Sequence, residues 1–311
     1  MNNIICIAGP TASGKTALAV ALAEKLNGEV VSCDSMQIYK GMDIGTAKPT
    51  KDEMRGIPHH MLDVADPREV FSVSRYCEMA RPIVDDIITR GKVAIIAGGT
   101  GLYMDALIRG NSFAPYPSTG MREKLEAQAD VEGMETMYEL LRSIDPDCAA
   151  RLHLSDRKRI LRALEVYYET GETITAHNLR TQQIPPRYTP IWFALEDALR
   201  SDLYDRIDKR VEIMLADGLL DEIRQLLDSG IPSKSTAMQA IGYKEFVDYI
   251  RGRCCLEEAV KQVQQSSRHY AKRQLTWFRR NPAIHWLRRQ KGDGTNEILS
   301  DALQHLADFD K

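Results

Sequence analysis

Eight residues near the N-terminus carry the strongest chemical signal in the chain. Gly9-Pro10-Thr11-Ala12-Ser13-Gly14-Lys15-Thr16 fits the pattern G-x-x-x-x-G-K-S/T without deviation. Glycines at these places let the backbone curl until its N–H groups point inward, and the N-terminus of a following helix adds partial positive charge. Lys15 adds a mobile full charge, and the Thr16 hydroxyl can sit on Mg²⁺. Together they can hold a diphosphate or a longer phosphate chain. The plain alternative is a structural glycine turn before a helix. A second candidate is Asp34, in Ser32-Cys33-Asp34-Ser35-Met36-Gln37. Its carboxylate can serve as a general base for a nucleophile or merely cap a turn or helix. The third is Thr100, in Gly98-Gly99-Thr100-Gly101.

These residues need elements to position them. Asn3 to Ala8 reads as a buried strand that runs straight into the glycine-rich loop. Lys15 to Leu26 has helical periodicity with Gly28 as its stop signal. Glu29 to Cys33 reads as a strand, Ser72 to Arg90 as a helix kinked or broken near Pro82, and Lys92 to Ala97 as a further strand. The alternation predicts a P-loop NTPase-like α/β fold, a parallel sheet with helices on both faces. Ligands of such sheets lie outside the carboxyl ends of the strands. Gly9, Asp34 and Thr100 each follow a strand end and are expected to line one crevice.

The pattern changes near Asn111, where NSFAPYPSTG is rich in turn formers. Met121 to about Tyr168 looks helical throughout, with a break at Asp145-Pro146, and Pro185-Pro186 reads as a linker. Strand character returns at Thr189 to Ala194, and Ile284 to Leu287 is a candidate last strand. The expected organisation is an α/β core formed by residues 1–110 and 189–311, with a helical insertion over 111–188.

Composition limits the function classes. With 311 residues, 43% hydrophobic and 27% charged, the chain is an ordinary globular protein, not a disordered or collagen-like one. No apolar run approaches the ~20 residues of a membrane helix, and MNNIICIAGP lacks the basic start of a signal peptide. Cys6, Cys33, Cys77, Cys148, Cys254 and Cys255 show no C-x-x-C spacing, which argues for reduced thiols rather than zinc or a disulfide framework. Adjacent His59 and His60, with Asp63 nearby, do not suit one metal ion, because successive strand side chains alternate.

The charge is segregated. The net charge is −3, yet Arg268 to Lys291 holds eight Lys/Arg and no acid, so the rest of the chain carries −11. On a helix Arg268, Lys272 and Arg279 fall near one face, with Trp277 and Phe278 interleaved. That mixture suits a phosphate backbone beside a stacking base, and a solvated face with a buried Trp is the alternative. Arg157-Lys158-Arg159 and Arg162 form a second cluster, flanked by Asp156 and Glu165. Arg206 and Arg210, one helical turn apart, either bind outer phosphates or pair with Asp202 or Asp205.

The strand KVAIIA ends in glycines, without the metal-binding Asp of many ATP-hydrolysing P-loop proteins. Phosphate binding for group transfer fits better. A small-molecule kinase also uses an acid at the place of Asp34.

At the level of whole segments the chain resembles the bacterial tRNA dimethylallyltransferases, the isopentenyl-diphosphate–tRNA transferases. The likeness rests on GPTASGKT at Gly9–Thr16, DSMQIYKGMDIGTAKPT at Asp34–Thr50, GIPHHMLD at Gly56–Asp63, GGTGLY at Gly98–Tyr103, AIGYKE at Ala240–Glu245 and YAKRQLTWFR at Tyr270–Arg279. It spans nearly the whole chain and is weakest over 111–183 and after Lys291. No C-terminal zinc finger of the eukaryotic kind is seen. The resemblance implies transfer of the dimethylallyl group from dimethylallyl diphosphate to N6 of the adenosine immediately 3′ of the anticodon, position 37, with release of diphosphate and help from Mg²⁺. It implies that Gly9, Pro10, Thr11, Ala12, Ser13, Gly14, Lys15, Thr16 and Arg210 hold the diphosphate. Asp34 is then the general base, with Thr100 and Lys15 at the reacting centre, and Thr16 meets Mg²⁺ largely through the diphosphate. Asp34, Ser35, Met36, Gln37, Thr100, Arg122, Lys158, Arg159, Ile160, Leu161, Arg162, Arg268, Lys272, Arg273 and Arg279 are implied to contact the tRNA anticodon stem-loop. The resemblance further implies a cytoplasmic monomer with no membrane partner. An ATP-binding role would follow from the loop motif alone, since a diphosphate ester fills the same cradle. A relative that prenylates free adenine nucleotides would share the core but not need the insertion or the basic helix.

Overall fold

The computed structural model describes residues 4–110 and 119–309. Contacts divide the chain into two compact units, 1–110 with 187–311, and 111–186.

The first unit is built on six strands: β1 (Ile4–Ala8), β2 (Gly28–Ser32), β3 (His59–His60), β4 (Val93–Ala97), β5 (Ile191–Asp197) and β6 (Ile284–Arg289). They lie in the order β3-β2-β4-β1-β5-β6, all parallel. Ile and Val dominate the central strands, as burial on both faces requires. Alternate residues Ile5, Ile7, Val93, Ile95, Ile191 and Phe193 share one core with Leu18 and Leu22 of α1 (Lys15–Leu26) and Ile298 and Ala302 of the last helix, α13 (Thr295–Phe309). The other face meets α3 (Val73–Thr89), on which α4 (Gly101–Arg109) packs. Tyr76 of α3 donates its hydroxyl to the Ser32 carbonyl at 3.0 Å, anchoring the end of β2.

The helix around Pro82 is one unbroken element, Val73–Thr89, where the sequence suggested a kink or break. Its amphipathic face buries Tyr76, Cys77, Ala80, Val84 and Ile87. That burial outweighs the roughly 3 kcal/mol cost of an interior proline. His59 and His60 form an edge strand against Val30 and Val31. His60 Nε2 is 2.8 Å from Glu29, which also binds Arg90 and Lys92, so His60 belongs to a charged cluster at the amino end of β2, while His59 Nδ1 is 2.8 Å from the Ile57 carbonyl.

The short α2 (Lys51–Met54) carries a capping box between Thr50 and Glu53. Beyond β5 come α9 (Arg200–Ala216), α10 (Leu219–Asp228), α11 (Lys244–Ile250) and the long α12 (Leu256–Phe278).

The second unit contains α5 (Met121–Ile144), α6 (Pro146–Ala149), α7 (Arg157–Thr170) and α8 (Ile174–Gln182) around its own core of Leu125, Met137, Leu141, Ile160, Leu161 and Leu164. The break at Asp145-Pro146 is present, and two further interruptions occur at Gly133 (φ 84°) and over 150–156. Buried Asp145 accepts from Cys148 N at 3.0 Å and from Thr175 Oγ1 at 2.7 Å, joining α6 to α8. Arg187 and Tyr188 pack with the α/β unit, where their backbone amides donate to Arg109 and Ile108 carbonyls. Residues 111–118, within the turn-rich stretch, lie outside the described residues.

Candidate active site

The phosphate loop joins β1 to α1. Gly14 caps the helix at φ 86°, and Ala12 also adopts a left-handed φ of 61°. Lys15 turns back over the loop and donates to the Pro10 carbonyl at 2.6 Å. Burial lowers its pKa to about 8, with the Arg210 charge acting the same way and Asp34 opposing. Ser13, 2% exposed, has a buried Oγ with no hydrogen-bond partner among the described residues. A half-desolvated ammonium and an orphaned buried hydroxyl in a curled, glycine-bearing loop fit an incoming polyanion, which would satisfy both.

Asp34 follows β2. Its Oδ1 accepts from Met36 N at 2.9 Å and Gln37 N at 3.4 Å. The turn-capping role weighed for Asp34 is therefore real, but it uses one oxygen. Thr100 stands beside it as the N-cap of α4. Its Oγ1 accepts from Ser35 N at 3.0 Å, and its own N–H donates to the Cys33 carbonyl at 3.2 Å. Gln37 is committed to its own loop, donating to the Thr46 and Ala47 carbonyls and accepting from Ser32 Oγ.

A cleft of about 370 Å³ opens here, lined on one side by Thr11, Asp34, Ser35 and Met36. Ile207, Val211, Met214, Ile241 and Val263 give it an apolar wall, and Arg210, Tyr270 and Arg273 add charge and a phenol. The half-buried Arg210 guanidinium is held below its ordinary pKa by desolvation, with Glu53 and Asp34 opposing. Burial first, and then the Asp34 charge, push the Tyr270 phenol up to about 12, while hydrogen bonds to Thr100 and Gln274 act the other way. The phenol stays protonated and can donate.

Two supporting residues, Gln274 and Glu222, escaped the sequence reading. Gln274 on α12 is 5% exposed; its Oε1 accepts from Thr11 N at 2.9 Å and its Nε2 donates to the Gly99 carbonyl at 3.0 Å. One buried amide thus locks the phosphate loop to the turn that carries Thr100. That turn has no room for side chains. A Cβ on Gly98 would stand 2.0 Å from the Cys33 carbonyl oxygen, and one on Gly101 2.2 Å from the Trp277 ring. Glu222 on α10 accepts from the backbone N–H groups of Asp43, Ile44 and Gly45 and from the Tyr243 hydroxyl at 2.6 Å, fixing the loop that brings Gly45 and Thr46 to the cleft. Arg206 donates to the Ala12 carbonyl at 3.0 Å and to Asp197 at 2.5 Å; it pairs with neither Asp202 nor Asp205. Nothing in residue type marked Gln274 or Glu222, since their partners in the loops are remote in sequence.

The basic helix divides into different roles. Arg273 is exposed at the cleft, 5.5 Å from the Tyr270 ring centroid. Lys272 is exposed. Arg268 is paired with Asp208 at 2.6 Å, and Arg279 with Glu196 at 3.4 Å. The expected stacking aromatics are not available: Phe278 is 2% exposed, and Trp277 packs on Gly101 and donates Nε1–H to Asp105 at 2.9 Å. They hold α12 against α4.

In the helical unit, Lys158, Arg159 and Arg162 are exposed on α7, with Arg159 beside Asp156 and Arg162 beside Glu165. Arg122 meets Glu126 and Glu165. Ile160 and Leu161, expected to contact a partner, are fully buried in the unit's core. Helical periodicity points these two side chains inward while their basic neighbours face solvent.

Among the described residues no group of three His, Cys, Asp or Glu could hold a metal ion. The donor set fits Mg²⁺ only as an ion that arrives on phosphate oxygens and adds the Thr16 hydroxyl. No helix among the described residues is long and apolar enough to cross a membrane.

A phosphate loop after β1, an acid after β2 on the far side of β4, and an apolar-walled cleft define a P-loop enzyme of group transfer. Comparison with known proteins narrows the class. The IPP transferase family matches residues 37–281. A tRNA dimethylallyltransferase of Acetivibrio thermocellus is 43% identical over 99% of both chains. That of Geobacillus thermodenitrificans is 49% identical over 91% of this chain and 89% of its own. The crystal structure of the full-length tRNA isopentenylpyrophosphate transferase from Bacillus halodurans superposes with a TM-score of 0.74 at 40% identity, covering 99% of this chain and 96% of the other. A eukaryotic dimethylallyltransferase captured acting on tRNA gives a TM-score of 0.84 at 30% identity, covering 99% and 80%. The chain belongs to the tRNA dimethylallyltransferases, the prenyltransferase family that modifies tRNA.

Proposed function

We propose that this enzyme transfers the dimethylallyl group of dimethylallyl diphosphate to N6 of adenosine 37, immediately 3′ of the anticodon, and releases diphosphate. The observation that carries the reading is Asp34, half-engaged in its own turn and lining a cleft that also contains the loop residue Thr11 and an apolar wall.

The adenine N6 lone pair is delocalised into the ring, so N6 is a weak nucleophile. As the C–N bond forms, N6 becomes acidic and the Asp34 carboxylate accepts its proton. Thr100 and Ser35 hold the Asp34 turn in place. The allylic C–O bond breaks, and the electron pair leaves with the diphosphate. Lys15, the loop amides and Arg210 face that growing negative charge. Mg²⁺, held by Thr16 and phosphate oxygens, supplies further neutralisation when bound. The apolar wall of Ile207, Val211, Met214 and Val263 suits a five-carbon chain. The acceptor base must leave its loop stack to reach Asp34. Arg273 and Lys272, with Lys158, Arg159 and Arg162 of the helical unit, supply cations for the anticodon stem-loop. We place the enzyme in the cytoplasm, acting as a monomer.

The test is a transfer assay with labelled dimethylallyl diphosphate, Mg²⁺ and an unmodified tRNA bearing A37, beside AMP and ATP as separate acceptors. Label in tRNA at A37 is expected. Label in a free nucleotide, or at another tRNA position, would overturn the assignment.

A further inference from the structure

Two guanidinium groups lie beside the phosphate loop, and only one is neutralised. Arg206 has the Ala12 carbonyl and the Asp197 carboxylate, whose side chain is 4% exposed. Arg289, the last residue of β6, has neither. Its Nη2 lies 2.7 Å from where a Cβ on Gly14 would stand, and its Cζ 3.5 Å away. The guanidinium lies over the bare Cα of Gly14. Its Nε is buried and has no hydrogen-bond partner among the described residues.

Burial, and then the neighbouring Arg206 charge, both disfavour the charged form of Arg289; Asp197 and Asp293 offset them in part. Asp197 is already bound to Arg206, and Asp293 accepts from the Gln290 amide at 2.7 Å. A partly desolvated guanidinium packed against the loop, beside a second cation, lacks the anion that would stabilise it. Ser13 Oγ, buried in the same loop without a partner, shows a second group left unsatisfied there.

We propose that Arg289 is a further diphosphate-binding residue, reaching the phosphate loop from the end of β6 and completing its charge when the polyanion is bound. The inference rests on the reading of the loop as a diphosphate cradle.

Isothermal titration of inorganic diphosphate into the whole enzyme tests it, with Arg289→Gln, Arg289→Lys and Lys15→Ala as variants. Arg289→Gln should weaken binding roughly 5- to 30-fold, as expected for one charge at close range in a half-buried site. Arg289→Lys should restore part of the affinity. The melting temperature of the ligand-free Arg289→Gln protein should be unchanged or higher, because an unpaired charge has been removed. Diphosphate affinity within twofold of wild type would overturn the proposal, and so would an affinity loss accompanied by a lower ligand-free melting temperature, the mark of a purely structural residue. Lys15→Ala separates the two readings. If it binds diphosphate as well as wild type does, the cradle itself is wrong; if it loses binding while Arg289→Gln does not, only Arg289 is misassigned.

Discussion

Strand β2 has a carboxylate at each end, and the two are treated in opposite ways. Glu29, at the amino end, is 3% exposed and meets Arg90 through both oxygens, Lys92 at 2.7 Å and His60 at 2.8 Å. Its hydrogen bond with Arg90, above all, holds its carboxyl well below the usual carboxylate range. Asp34, just past the carboxyl end, has one oxygen in its own turn and no ion-pair partner among the described residues. A carboxylate saturated with donors is a weak base and a good strut. One left half-engaged in a cleft is free to take a proton. In a doubly wound sheet the same division separates the stabilising end from the reacting end.

Conservative amides at the two positions sharpen the contrast most. Asp34→Asn should lower kcat by roughly 10²–10⁴ with little effect on the melting temperature, because Asn keeps the turn's acceptor. Near-normal turnover would remove Asp34 as the base. Glu29→Gln should do the reverse, costing about 2–3 kcal/mol of stability, less than a fully buried pair because its partners are partly exposed, with kcat near normal at permissive temperature. Glu29 has a lowered pKa in the folded state, so its contribution is complete above the unfolded carboxyl pKa and is lost as pH falls. Denaturant titration against pH should therefore show a shallower acid limb for Glu29→Gln. An acid limb like that of wild type would mean that the cluster is decoration.

Lys15 gives the next effect. Only its protonated form binds diphosphate well, and burial brings its pKa in the ligand-free enzyme to about 8. Affinity for a diphosphate ester, whose last ionisation near ~6 is complete by then, should fall by up to about tenfold per pH unit above that pH, up to the higher pKa of the bound state. Calorimetry in buffers of different ionisation enthalpy should show net proton uptake on binding above pH 8. Proton-neutral binding across the range would contradict a desolvated lysine.

The smallest effect separates exposed from paired arginines on α12. Arg273→Ala should reduce the slope of log affinity for tRNA against log salt by about one. Arg268→Ala should change it less, because Asp208 already neutralises that group. Equal slopes for the two variants would erase the distinction.

Much of the fold was legible because it rests on local signals. Lys15–Leu26 starts after the glycine of the loop motif and ends just before the Gly28 offered as its stop, although Asn27 makes the left-handed turn and Gly28 already opens β2, and the Ile/Val runs are buried strands. The phosphate loop was legible because its motif lies in eight consecutive residues. Long-range roles were not. Gln274 reads as any glutamine on a helix until its partners, Thr11 and Gly99, are known. Glu222 reads as a surface acid, yet it gathers three loop amides. Trp277 and Phe278 looked like a stacking platform because composition cannot tell which side of a helix meets α4. Pro82 looked like a breaker because its local cost is visible and the burial that outweighs it is not.

The phosphate loop also imposes a schedule on synthesis. Residues 9–16 are made long before the strand that flanks β1 on one side, which begins at Ile191. Arg206 and Gln274 hydrogen-bond the loop, and Arg289 lies against it. At translation rates of about 5–20 residues per second, roughly 15–55 s separate synthesis of the loop from synthesis of Arg289, the last of these three. A nascent chain stalled before β6 therefore has the motif without the strand that carries Arg289 to it.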